Sequence, residues 1–421
     1  MMEALKVIKQ FRTITNTFFF YTTLLWLMTS NTLADELTTP EFTGLFSASA
    51  AGSYQKDNND KKDKENNTDS SLTSLHQQDL RLMIDGNNNT ISYELHSEII
   101  TTTQSSNIQN NTPGFQNIFQ FNDMKYQLIQ QQNNSTLYTG QIKADRLNIK
   151  ANFETVDFRI GRQAISWGVG RFWQPTDIFG AFNAAELVRD YKTGIDVFNF
   201  NYYPNSFSNI NLVYAFSANN NSNIGLRYAG PVSESIYLSL ITANIEEDMI
   251  IGGSLESDWN GAGIRLESIA FPSEHNNNYQ LYSVAGFDYQ FENEWLLTTE
   301  IHYNNRGANS ISEFENIVSG KHFQAGRLKQ LSQQLIGISL QKSVTPLISV
   351  NYLWINAFLT RSQFYNSALH QLSAVYSLSN ESDIRFTFIT TTGKQVNNIG
   401  IPQSEFGHIP ITASFLLRMY F

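Results

Sequence analysis

The chain has 421 residues, no cysteine, a formal net charge of −10, 13% aromatic residues and only 16% charged ones. The acidic balance argues against nucleic acid as a partner, and the lack of cysteine excludes a disulfide scaffold. So many aromatic residues beside abundant Asn, Ser, Thr and Gln are unusual for a water-soluble enzyme, and suit strands that face hydrocarbon on one side and water on the other.

At the amino end, Lys6, Lys9 and Arg12 precede the apolar run Phe18 to Met28 (FFFYTTLLWLM), and Thr32-Leu33-Ala34 supplies small residues for cleavage. This pattern predicts a removed signal peptide over residues 1–34. The apolar run is about half the roughly 20 residues that a spanning helix requires. No later apolar stretch approaches that length, so a helical membrane protein is excluded. Residues 35–421 show no linker or shift in composition and read as one domain.

A first strand is predicted near 42–54. Asp57 to Asp69 (DNNDKKDKENNTD) has no apolar residue and predicts a flexible loop. Strands near 74–85 and 90–102 meet across Gly86-Asn87-Asn88-Asn89. Residues 103–140 leave room for an extra hairpin, and strands near 141–151 and 154–166 form another. Dyad alternation then recurs. Its apolar faces include Phe198/Phe200/Tyr202, Ile210/Leu212/Tyr214/Phe216, Ile224/Leu226/Tyr228, Met249/Ile251/Leu255 and Ile264/Leu266. The series continues with Ala285/Phe287/Tyr289/Phe291, Trp295/Leu297/Ile301/Tyr303, Ile336/Ile338/Leu340, Ile348/Val350/Tyr352/Trp354, Leu372/Ala374/Tyr376/Leu378 and Ile384/Phe386/Phe388. The last strand, Ile411 to Phe421 (ITASFLLRMYF), is apolar on one face and ends on an aromatic residue.

Short connections at Pro204-Asn205, Gly230-Pro231, Glu292-Asn293, Thr345-Pro346 and Ser379-Asn380 carry turn residues. Longer polar ones lie between them, notably 305–331 and 393–409, and the runs Asn219-Asn220-Asn221 and Asn276-Asn277-Asn278 read as loops. The fold class is therefore all-β: a closed antiparallel transmembrane barrel of about 18 strands, with 16 as the neighbouring count. It would have short periplasmic turns and long extracellular loops. Closure follows because hydrocarbon offers no partner to an unpaired sheet edge. A soluble sandwich or solenoid would bury one face of each strand, but would leave the aromatic strand ends unexplained.

The densest motif is GRQAISWGVGRFWQPTDIFGAFNAAELVRDYKTG, residues 161–194. Its glycines permit close backbone approach. Pro175-Thr176-Asp177 reads as a helix start with Asp177 as the cap, followed by a short helix within Phe179 to Tyr191. The segment 167–193 is the candidate constriction loop, folded into the lumen. Trp167, Gly168, Gly170, Phe172, Trp173 and Pro175 would anchor it. Arg162, Arg171, Asp177, Arg189, Asp190 and Lys192 would bring charge to the narrowing. An external loop held by ion pairs, with no part in selection, is the alternative.

The terminal strand resembles the closing strand of Gram-negative outer-membrane barrels, whose final aromatic residue, here Phe421, is read by the barrel-assembly machinery. The runs RIGRQAISWGVGRFWQPTDIF and VRDYKTGIDVFNFNY, with Asp145-Arg146-Leu147 upstream, resemble a group of porin-like outer-membrane proteins with a GRQxxxWGxGxxxxPTD motif. They resemble alginate-export-type barrels more distantly. The close likeness covers roughly 141–203. It implies a monomeric or trimeric passive channel in the outer membrane, in contact with lipid and lipopolysaccharide, and supplies no substrate.

Strand parity sends Arg146, Lys150, Asp157, Arg159, Arg227, Arg265, Glu267, Asp288, Glu300, His302, Arg385 and Arg418 to the lumen. A charge on the lipid face costs about 2–4 kcal/mol near the midplane. A lumen richer in Arg than its surroundings favours anionic solutes; ladders that only stiffen the wall are the alternative. The seven histidines show no metal-ligand spacing, and neither a nucleophile elbow nor a phosphate loop is present. The reading is a passive diffusion channel for small hydrophilic solutes, anionic ones among them, without cofactor or metal and not an enzyme. Competing readings are a ligand-specific channel for an acidic polysaccharide, a structural or adhesive barrel, and an outer-membrane hydrolase.

Overall fold

The structure, a computed structural model, describes residues 40–55, 71–88, 90–105, 121, 124–133, 136–180, 191–217, 221, 223–272, 279–324, 326–361, 365–397 and 399–421. The predicted signal peptide, the loop 57–69, the asparagines 219–220 and 276–278, and Arg189 and Asp190 lie outside them.

Nineteen strands form one sheet. They are β1 (Glu41–Gln55), β2 (Ser71–Asn87), β3 (Ile91–Ser105), β4 (Lys125–Asn133), β5 (Thr136–Asn152), β6 (Val156–Gln163), β7 (Ile195–Asn205), β8 (Ser208–Ala215), β9 (Asn223–Ser233) and β10 (Ile236–Ile245). There follow β11 (Asp248–Trp259), β12 (Ala262–Pro272), β13 (Tyr279–Gln290), β14 (Leu296–Asn304), β15 (Gln334–Thr345), β16 (Ile348–Leu359), β17 (Tyr365–Ser379), β18 (Ser382–Thr392) and β19 (Ile411–Tyr420). Each pairs antiparallel with the next, except that β3 skips β4 to pair with β5. β1 pairs with β19 and closes the cylinder. β4 pairs only with the outer half of β5, from Thr136 to Lys143, beyond the part that β6 occupies. The wall thus has 18 strands, and β4 is the extra hairpin for which 103–140 left room. No helix among the described residues is long and apolar enough to cross a membrane.

The dyad pattern sorts side chains as the physics of a lipid-facing sheet demands. Leu226, Leu240, Ile301, Leu372, Phe386 and Phe415 are exposed on the outer face. Arg265, Glu267, Glu300, His302 and Arg418, of opposite parity, are buried within the barrel. At the seam, Gly44 and Phe421 exchange backbone hydrogen bonds of 2.7 and 3.0 Å. A Cβ on Gly44 would lie 2.3 Å from the Phe421 ring, so the terminal aromatic lies directly over this glycine.

Two predicted turns fall inside strands. Pro204 and Pro231 occupy β7 and β9, and the chain reverses a few residues later. Both prolines sit beside register shifts, where the ladder requires no donor from them. The strand missing from the sequence series is β10. On this strand the apolar Ile241, Ala243 and Ile245 are buried in the lumen, while Thr242 and Asn244 face outward. Its alternation is inverted near the loop end. The connection after it, Glu246-Glu247, is a two-residue turn with φ of 49° and 75°, shorter than the long loops expected at that end.

The loop between β14 and β15 is a small folded module. It has a 3-10 turn, Ile311–Glu313, and two short helices, Phe314–Ser319 and Lys321–Gln324. Phe314, Val318, Phe323, Leu328 and Leu331 pack with Leu359 of the wall into a core of their own.

Candidate functional site

Beyond Gln163 the chain leaves the wall and turns inward. Ile165, Trp167 and Phe179 join Val197, Val213, Ala215, Ile241, Ala243, Ile245 and Ile269 in one buried cluster. The Trp167 and Phe179 rings meet edge to face at 5.0 Å, and the Trp167 indole N–H donates to Asn211 Oδ1 at 2.8 Å. Phe172 and Trp173 enter a second cluster with Val284, Leu335, Leu353, Ile355 and Leu369. The loop therefore lies along the β7–β17 arc of the inner wall, and this contact makes the inverted face of β10 favourable.

An irregular segment must find partners for its backbone amides, and two wall carboxylates supply them. Glu267 on β12 accepts from the Val169 N–H at 2.6 Å, the Thr176 N–H at 3.0 Å and the Thr176 hydroxyl at 2.6 Å. The Gly170 N–H also donates to it. Glu300 on β14 accepts from the N–H groups of Arg171, Phe172 and Trp173, the last two at 2.8 and 3.2 Å. Such charge-assisted bonds are the strong kind. Gly170 is required by close approach, since a Cβ there would lie 1.9 Å from the Trp173 carbonyl oxygen. These two carboxylates carry the loop's placement, and in the sequence they are visible only as lumen-parity acids.

Asp177 does not cap a helix. Its carboxylate accepts from the Trp167 N–H at 3.2 Å and is ion-paired with Lys192, whose ammonium also donates to the Ile165 carbonyl. Burial pushes the Asp177 carboxyl up and the Lys192 ammonium down, and each is the other's main compensation. The residues predicted as the helix interior, 181–190, lie outside the described ones. The helices that are described sit in the β14–β15 loop instead.

The return to the wall is held by Asp145 and Arg146. Asp145 accepts from the Gly194 N–H at 3.1 Å and from Arg81 at 2.7 Å. Arg146 donates to the Lys192 carbonyl at 2.7 Å, and the Arg81 guanidinium lies 4.2 Å from the Tyr191 ring centroid. Arg162 has the outward parity of Phe158 and Ile160, and forms a two-pronged pair with Asp196 at 2.8 and 2.9 Å where β6 leaves the wall.

The remaining predicted residues divide between the two sides. Lys150 pairs with Asp157 at 3.4 Å, and Arg159 with Glu94 at 3.1 Å, along β3, β5 and β6. Arg227 donates to the Ser239 hydroxyl at 2.8 Å. Arg265 is paired with Asp288, and Arg418 donates to Asp383 at 2.8 Å. Arg385 is half-buried on β18. The Arg171 side chain is 62% exposed and reaches Asp288 at 3.3 Å. It borders a cavity of about 520 Å³ lined also by Asp288, Thr298, Ser339 and Gln341.

A second inward loop, 393–410, had no signal as such in the sequence. Its Phe406 is in the same cluster as Phe172 and Trp173. Glu405 accepts from the N–H groups of Leu331 and Ser332 at 3.1 and 2.5 Å. The mixed run GKQVNNIGIPQSEF, without dyad alternation, reads as a loop, and only the packed partner of Phe406 shows that it dips inside.

No family model and no curated protein matches the sequence. Solved structures do. OccAB4 of Acinetobacter baumannii aligns with a TM-score of 0.54 at 8% identity, over 91% of this chain and 98% of that one. OccK7 (OpdD) of Pseudomonas aeruginosa gives 0.53 at 8% identity, over 91% and 99%. OccD3 (OpdP) of the same organism gives 0.51 at 9% identity, over 92% of each chain. At such identities the likeness concerns architecture, and the architecture is that of the outer-membrane channel barrels: 18 antiparallel strands closed on themselves.

Proposed function

We propose that the chain is a porin-like passive diffusion channel of the outer membrane, conducting small hydrophilic solutes down their gradient. One observation carries this reading. Inside a wall whose outer face is apolar, the lumenal side chains of Lys143, Lys150, Arg159 and Glu94 are 26%, 25%, 25% and 29% exposed. Water therefore reaches the β3–β6 arc, while the inward loop fills the opposite side. Selection would operate between that arc and the loop's exposed Arg171.

Anion preference is a weaker feature of the proposal. Lys150, Arg159, Arg265 and Arg418 each have a carboxylate within hydrogen-bonding or ion-pair range. Arg171 reaches Asp288 at 3.3 Å as well, and because paired charges largely cancel at a distance, the bias is small. The outer-membrane setting implies lipid and lipopolysaccharide around the barrel and delivery by the assembly machinery. A monomer and a homotrimer both fit that setting.

The cavity beside Arg171 favours a second reading, a channel with affinity for one ligand class such as an acidic sugar polymer. Purified protein in planar bilayers distinguishes the two. A passive channel gives discrete conductance steps that scale with salt and reversal potentials of a few millivolts. Saturable block by a charged oligosaccharide supports the second reading, and intact barrels without conductance reject both.

A further inference from the structure

The external module and the constriction are joined at two adjacent residues. Glu405 reaches the module: it is 4% exposed and accepts from the Leu331 and Ser332 amides, which are themselves buried. Phe406, next in the chain, packs in the cluster that holds Phe172 and Trp173 of the constriction loop. The segment between is stiff. Ser404 donates to the Lys394 carbonyl at 2.6 Å and accepts from the Gly407 N–H at 3.0 Å. A Cβ on Gly407 would lie 2.2 Å from that same carbonyl. On its far side the module is tied to the β10–β11 turn, where Arg327 meets Glu246 at 3.5 Å and Arg306 meets Asp248 at 3.5 Å.

We propose that Glu405 and Phe406 form a strap coupling the outer module to the constriction, so that release of Glu405 from the Leu331 and Ser332 amides withdraws Phe406 and widens the pore. Glu405 and Phe406 act as positioning residues, since neither extends into the open arc. The inference rests on the channel reading for its conductance readout and on geometry alone for its mechanics.

Titration gives the strap a natural trigger. Burial pushes the Glu405 carboxyl from 4.5 up to about 7, opposed by Ser332 and the two amides. Its own loop carries Lys394 and His408, and the module carries Arg306, Glu313, Glu315, Lys321, His322, Arg327 and Lys329; the shift is set by burial, Ser332 and the two amides and by none of these. Arg327 is committed to Glu246 and Asp248, and Lys394 lies 5.4 Å from the Tyr365 ring. A buried acid with a raised pKa favours the docked state below its ordinary value and loses that contribution as pH rises through the docked value. Docking therefore weakens between about pH 4.5 and 7, on the order of a hundredfold in the docking equilibrium. His408, pushed from 6.5 down to about 4 by burial, works in the opposite direction between those two values. The difference between wild type and E405Q at each pH from 6.5 to 8 isolates Glu405.

The test combines single-channel conductance over that range with trypsin cleavage of the module at Lys321, Arg327 and Lys329 at one fixed pH. Wild type should conduct at least twofold more at pH 8 than at pH 6.5. E405Q, which mimics the protonated acid, should hold the low value throughout. F406A should conduct more at every pH while cleavage of its module stays at the wild-type rate. E405A should be cleaved at least fivefold faster than E405Q. Equal pH dependence in wild type and E405Q, or equal cleavage of E405A and E405Q, overturns the strap. Silent bilayers with Glu405-dependent cleavage overturn the channel reading while leaving the mechanical link standing.

Discussion

The two sides of the lumen solve different problems with the same wall. Along β7–β17 the inner face is apolar towards the loop end, with Val197, Val213, Ile241, Ile269, Leu335 and Ile355 nearly inaccessible. That face is stable only because Trp167, Phe172, Trp173 and Phe179 cover it. Along β2–β6 the inner face carries cross-paired charges, with Arg81, Glu98 and Asp157 buried and their neighbours Glu94, Lys143, Lys150 and Arg159 partly exposed. The difference teaches that the inward loop is less a plug than a second layer of wall. It converts part of a polar cylinder into a small packed core and leaves the remainder to water.

Removing the acceptors that hold the second layer should have the largest effect. Glu267→Ala with Glu300→Ala strands six backbone N–H groups. At about 1–3 kcal/mol for each buried donor left unpaired, the loop should detach. Trypsin should then cleave after Arg171 in a chain still folded as a barrel, and a loop that stays resistant would contradict its anchoring role. Trp173→Ala comes next, at about 3–5 kcal/mol for a large aromatic removed from a packed cluster, read as a lower midpoint in chemical denaturation. A loss under about 1 kcal/mol would show that the cluster is loosely packed. Arg159→Ala, on the wet side, should cost no more than about 1 kcal/mol because its partner is also partly exposed. If it matched Trp173→Ala, the contrast between the two sides would fail.

Much of this architecture was legible in the sequence, because the lipid-facing strands obey one rule. Phe198/Phe200/Tyr202 and Leu372/Ala374/Tyr376/Leu378 alternate because their neighbours are hydrocarbon and water, and both are present along the whole strand. Reading failed wherever a third neighbour intervened. β10 escaped because the inward loop makes its lumen side apolar. β4 (KYQLIQQQN) was anticipated only as room for an extra hairpin, because all nine of its residues are exposed and no face is selected. Pro204 and Pro231 read as turns because a bulge hides the missing donor. At the candidate site, Trp167, Gly170 and Trp173 were visible as a dense motif; Trp167 and Trp173 are buried in the two lumenal clusters, and Gly170 lies against the Trp173 carbonyl. Glu267 and Glu300 were visible only as lumenal acids, since their partners lie 91 to 129 residues away in the chain. Phe406 carried no local signal at all.

The most direct test exploits a chain that contains no cysteine. Single cysteines are placed on the two lumen faces, Arg159→Cys on the wet side and Val213→Cys beneath the loop, and the folded proteins are treated with a charged, water-soluble maleimide. The account predicts rapid modification of Arg159→Cys and protection of Val213→Cys. Equal rates at the two positions would contradict a lumen with one side open and the other covered.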